Sequence, residues 1–121
     1  HWVICDRFTD ATVAYQGGGR GVARSLIDHL RADVQRGLEP DLTLLLDAPL
    51  EVGTQRIAAR TKDHFEREER PFFQRVRNTY LELAASEPQR IAVIDAAQPL
   101  DEVQRAISAE LQAFLARFDG R

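Results

Sequence analysis

The chain has 121 residues, a formal net charge of −3, 44% apolar and 29% charged residues, the size and balance of one soluble globular domain. This excludes a collagen, a disordered tail and a disulfide scaffold, because the one cysteine, Cys5, has no partner in the chain and suits a reducing compartment. No apolar run approaches the ~18 residues of a membrane span. The chain opens on His1-Trp2-Val3 without the pattern of a signal peptide, and a pI near 5.6 offers no basic field to a nucleic-acid backbone. Neither a membrane nor a nucleic acid is an expected partner, and the cytoplasm is the expected location.

In chain order, Trp2-Val3-Ile4-Cys5 is a short apolar run ending at Asp6 and reads as a buried strand. Tyr15 to Gly21 carries three consecutive glycines and reads as a flexible turn before a helix. That helix is predicted from about Val22 to Arg36, with Ala23, Leu26, Ile27, Leu30 and Val34 on one face that is expected to meet the core. Gly37 and Pro40 stop it. Leu42 to Asp47 is a second strand, and a helix starting after Pro49 runs through Val52 and Ile57 to about Arg60. Thr61 to Arg70 is dominated by charge and reads as a mobile loop. A helix carrying Phe72, Phe73, Val76, Tyr80, Leu81 and Ala84 follows. Ile91 to Asp95 is the third strand, and the last helix follows Pro99 with Leu100, Val103, Ile107, Leu111, Phe114, Leu115 and Phe118.

Near-continuous apolar strands separated by helical segments predict an α/β fold, a parallel sheet covered on both faces by helices. No repeat, low-complexity stretch or linker divides the chain, so residues 1–121 are expected to form a single domain.

An open parallel sheet binds its ligand outside the carboxyl ends of its strands, which singles out Asp6-Arg7, Asp47 and Asp95. Asp47 and Asp95 read as caps of the turns that follow. Asp6 stands beside Arg7, whose planar guanidinium matches phosphate oxygens, so these two are candidates for chemistry. Gln16 offers the donor and acceptor that a nucleobase edge needs, and the Tyr15 ring can wall a sugar. The glycines do not fit a dinucleotide-binding pattern, because Val22 stands where the last glycine is due. No P-loop occurs either. Fifteen of the sixteen basic residues are arginine, and the only lysine, Lys62, has no glycine near it. With histidine in first place, the chain reads as the later part of a longer protein.

Asp6-Arg7-Phe8, followed by Ala14-Tyr15-Gln16-Gly17-Gly18-Gly19-Arg20-Gly21, resembles the signature of bacterial thymidylate kinases. The resemblance extends through Asp41 to Asp47, the Val52-Gly53 helix, Phe72-Phe73 with Arg75 and Tyr80, and the Asp95 to Leu100 turn, nearly the whole chain. It implies part of a P-loop nucleoside monophosphate kinase fold and an enzyme that phosphorylates dTMP to dTDP with ATP and Mg2+, as a homodimer packed through helices. It also implies residue roles. Arg7 holds the acceptor phosphate, and Asp6 sits near the metal or orients Arg7. Thr12 and Gln16 contact thymine, and Tyr15 packs on the deoxyribose so as to exclude a 2′-hydroxyl. Arg56 lies by the adenine, and Arg60 on a lid neutralises the transferring phosphates, which suits a reaction that depends on positioning and charge stabilisation.

Asp63-His64-Phe65-Glu66 stands where the family carries an arginine second, which makes Lys62 an alternative phosphate contact. The family's P-loop half is not in these 121 residues, so this chain alone is expected to be inactive. Two other readings compete: a non-catalytic fragment that dimerises or binds nucleotide, and a kinase of a related nucleoside monophosphate.

Overall fold

A computed structural model describes residues 1–58 and 69–119. α1 (Thr9–Thr12) runs without a break into a π-helical stretch (Val13–Gly19), and α2 (Arg24–Gln35) follows. Then come β1 (Thr43–Asp47), α3 (Leu50–Ala58), α4 (Glu69–Ser86), β2 (Ile91–Asp95) and α5 (Leu100–Asp119). The helices that begin after Pro49 and Pro99 start where proline's fixed φ favours a first turn, and each has acidic residues in that turn. Among the described residues no helix is long and apolar enough to cross a membrane. The residues form two compact units. One is built from 1–39 and α4 up to Leu83, the other from 40–58 and 84–119 in their described parts.

The second unit holds the sheet. β1 and β2 pair in parallel from Thr43 opposite Ile91 to Asp47 opposite Asp95, and Thr43 N to Arg90 O (2.8 Å) and Ala96 N to Asp47 O (2.7 Å) extend the ladder at both ends. Each strand is followed by a helix, the α/β arrangement expected. Ile91, Ile94 and Val103 are buried, while Leu46 and Val93 keep 55% and 46% of their surface exposed. Residues 46 and 93 lie on opposite faces of the pairing, so the cover is incomplete on both. The Asp95 carboxylate accepts the Ala97 N–H at 2.9 Å, the capping role expected of it.

The first strand does not form. Trp2, Val3 and Ile4 lie outside regular structure and are 67%, 87% and 99% exposed. An apolar run becomes a strand only against a ladder neighbour, and among the described residues the only ladder is the one between β1 and β2. The chain instead bends at Asp6 and Arg7, where Arg7 takes φ +61° and its carbonyl accepts the Cys5 thiol at 3.2 Å.

The glycine run is also not a turn. Gly17, Gly18 and Gly19 are helical, and only Gly21, at φ +75°, turns the chain. A Cβ on Gly19 would come within 2.5 Å of Phe72 Cε2, and one on Gly18 would overlap the Thr79 side chain. The glycines are therefore where this helix approaches α4 most closely. Arg75 closes the contact by donating Nε and Nη2 to the Gly19 carbonyl (3.3 and 3.0 Å), satisfying an acceptor that the helix end leaves open.

α2 starts two residues later than expected and ends at Arg36 in the left-handed conformation, with Gly37 next at φ +84°. Its apolar stripe does not face the core as predicted. Ile27 is buried, but Leu26, Leu30 and Val34 are 52%, 54% and 76% exposed. The core of this unit is Val13, Ala14, Ile27, Val76 and Leu83, filled from the glycine-rich helix and α4, which leaves one turn-edge of α2 inside. The loop expected up to Arg70 ends earlier, since α4 includes Glu69 and Arg70; the rest of that expected loop lies outside the described residues.

Candidate functional site

Two of the sequence candidates of the first unit, Arg7 and Tyr15, meet at one ring. The Arg7 guanidinium lies 5.2 Å over the Tyr15 ring, within the range where a cation is attracted to an aromatic face. Phe72 and Tyr80 of α4 meet the same ring at centroid distances of 6.2 and 6.3 Å and interplanar angles of 59° and 83°. Phe72 in turn packs edge-on to Phe73 at 5.2 Å and carries the Arg20 guanidinium at 5.3 Å. Two arginines and four aromatic rings thus form one continuous cluster.

Arg7 holds its place through backbone geometry that side chains rarely adopt. A φ of +61° costs a residue with a Cβ roughly 1–2 kcal/mol, and the bend is what carries the guanidinium back over Tyr15. Asp6 is exposed beside it. Burial pushes the Tyr80 phenol above its ordinary value of 10.0; Tyr15, Asp10 and Asp6 add to the rise and Arg7 opposes it. Tyr80 is therefore a neutral hydroxyl at any working pH, and its surroundings include both Asp6 and Arg7. Asp10 is buried together with Thr9, which accepts a hydrogen bond from Gln35 Nε2.

Thr12 and Gln16 are exposed, about one turn apart on the continuous helix that also carries the half-buried Tyr15. Arg56 belongs to the second unit. It is exposed on α3 and donates Nη1 to the Ala96 carbonyl at 2.7 Å, in the turn that Asp95 caps. Arg60, Lys62 and Asp63 to Glu66 lie outside the described residues.

Sequence reasoning did not single out Tyr80, Phe72 or Arg75 for the site. Phe72, Val76 and Tyr80 recur at intervals of four, which marks a packed helix face, and that face is the one that meets Tyr15. An open cavity of about 380 Å³ near the end of α2 is lined by Arg31, Gln35, Arg36 and Glu39, among others. It includes none of the candidates. Among the described residues no group of three or more His, Cys, Asp or Glu side chains could hold a metal by itself.

The family model described as Thymidylate kinase matches residues 1–107. A thymidylate kinase of Methylococcus capsulatus is 57% identical over 116 residues, covering 95% of this chain and 56% of the relative. Thymidylate kinases of Pseudomonas putida strain W619 and Pseudomonas entomophila are each 56% identical over 119 residues, covering 98% of this chain and 58% and 57% of theirs. The chain thus spans little more than half the length of these relatives.

Proposed function

Because the chain belongs to the thymidylate kinase family, we propose that the complete protein transfers the γ-phosphoryl group of ATP to dTMP, giving dTDP for dTTP biosynthesis. The observation that carries this reading is Arg7 stacked over Tyr15. A phosphate-binding fork and a ring able to wall a sugar lie side by side, as phosphate and sugar do in a nucleoside monophosphate.

In this reading Arg7 holds the acceptor phosphate with two parallel N–H donors, and Asp6 orients it or meets the metal. Tyr15 packs against the deoxyribose, and Thr12 and Gln16 take the thymine edge. Arg56, steadied by the Ala96 carbonyl, offers the flat face of its guanidinium to the adenine. Arg60 neutralises charge on the transferring group. Magnesium, when bound, would supply further charge neutralisation. Such an ion takes most of its ligands from water and phosphate and needs only one or two carboxylates, so the exposed Asp6 fits as one of them. The exposed Leu26, Leu30 and Val34 of α2 support a homodimer packed through that helix, since such an apolar face favours a covered state. The reading treats residues 1–121 as one functional domain in a cytoplasmic enzyme.

These 121 residues contain no phosphate-cradling loop, so a preparation of this chain alone shows no ATP-dependent conversion of dTMP in a coupled assay. The complete protein converts dTMP far faster than UMP, CMP or GMP. Turnover by the chain alone, or a preference of the complete protein for another monophosphate, overturns the reading. In the complete protein Arg60→Ala lowers kcat about tenfold or more with little change in KM for dTMP, because charge spreads over the transferring group in the transition state. If Lys62→Ala has that effect and Arg60→Ala does not, the role belongs to Lys62.

A further inference from the structure

Rejecting a 2′-hydroxyl by a clash works only if the wall cannot retreat. One added hydroxyl needs an ångström or two of room, and an aromatic side chain with free space behind it yields that much by turning about χ1. Tyr15 is half-buried on a helix whose neighbouring glycines offer no side chain for support. Its ring is met instead from α4, by Phe72 and by Tyr80 eight residues later, about two helical turns apart. Phe72 has further ring and cation contacts, with Phe73 and Arg20. Among the described residues Tyr80 meets one ring, that of Tyr15, nearly perpendicular at 83°, the edge-to-face arrangement that ring quadrupoles favour.

We propose that Tyr80 is a positioning residue for sugar selectivity: its ring, set edge-to-face against Tyr15 while Arg7 lies over that ring, holds Tyr15 where a 2′-hydroxyl cannot be accommodated. Tyr80 acts through Tyr15 and not on substrate. The inference rests on Tyr15 being the sugar wall of the proposed function. Without the Tyr80 ring, Tyr15 can turn into the vacated volume, and the ribonucleotide gains more than the deoxyribonucleotide loses. The hydroxyl of Tyr80 is not what the contact uses, so phenylalanine preserves it.

The test measures kcat/KM for dTMP and for ribothymidine 5′-monophosphate in the complete protein, for wild type, Tyr15→Ala, Tyr80→Phe and Tyr80→Leu. Tyr80→Met is read in the same way if the leucine variant does not fold. Tyr80→Leu lowers the deoxyribose-to-ribose ratio about tenfold, the low end of the ~10–200-fold by which pocket shape discriminates one small group, while Tyr80→Phe stays within about twofold of wild type. A purely structural role would lower both kcat/KM values together, and an unchanged ratio in the Leu or Met variant overturns the proposal. So does a Tyr80→Phe ratio as low as that of Tyr80→Leu. If Tyr15→Ala lowers the ratio and Tyr80→Leu does not, this proposal alone falls. If Tyr15→Ala leaves the ratio unchanged, the sugar-wall assignment falls and takes this proposal with it.

Discussion

Arg7→Ala in the complete protein lowers kcat/KM for dTMP by about a hundredfold or more. A hydrogen bond to a charged group contributes ~1.5–3 kcal/mol, and a guanidinium fork makes two of them to one phosphate. Arg7→Lys restores the charge but not the fork, so it recovers only part of the loss. The backbone provides a second, independent readout. At φ +61° both arginine and alanine carry a strained Cβ, whereas glycine does not. Arg7→Gly therefore loses as much activity as Arg7→Ala yet is the more stable of the two, by ~1 kcal/mol in urea unfolding. Near-normal kcat/KM in Arg7→Ala removes Arg7 from the site. Equal stability of the two variants would mean that the bend at residue 7 is not strained.

Legibility in the sequence followed how local each feature is. β1, β2, α3 and α5 lie within a residue or two of their predicted positions, because apolar period and proline punctuation act over a few residues. The strand expected at Trp2 to Cys5 failed because an apolar run carries no information about its ladder neighbour. The stripe on α2 was legible as amphipathic, but not which surface it meets. For the site, Arg7 and Tyr15 were each singled out by residue type, but not that the guanidinium of one lies over the ring of the other. Nor was the contribution of α4 legible, because Phe72 and Tyr80 look like ordinary core positions and the Arg75 clamp on Gly19 spans 56 residues. Glycine was the most ambiguous residue of all. Permissiveness suggested a turn at 17–19, where the structure uses the absence of a side chain.

That distinction sets the sign of a substitution at each glycine, and Gly18→Ala is expected to destabilise the protein by ~1–3 kcal/mol. The new methyl would overlap Thr79 Oγ1, come within 2.8 Å of Thr79 Cβ and reach 3.2 Å from the Arg75 carbonyl. Rotating Thr79 can move its hydroxyl, which now donates to the Arg75 carbonyl at 2.9 Å, but it cannot move the Cβ. The two helices must separate instead, which loosens the packing of Gly19 on Phe72 and Val76 and lengthens the Arg75 clamp. Overpacking of this kind costs ~1–3 kcal/mol or more and outweighs the ~1 kcal/mol that alanine gains over glycine in helix propensity. Gly53 in α3 is the contrasting case. A Cβ there meets nothing within 4 Å, so Gly53→Ala keeps the propensity gain and stabilises by ~0.5–1 kcal/mol. Urea unfolding of the complete protein measures both, and Thr79→Gly completes a double-mutant cycle with Gly18→Ala. With the threonine side chain removed, Gly18→Ala loses most of its penalty. If Gly18→Ala is as stable as wild type, the close approach of the glycine helix to α4 is wrong, and with it the surface that holds Phe72 and Tyr80 against Tyr15.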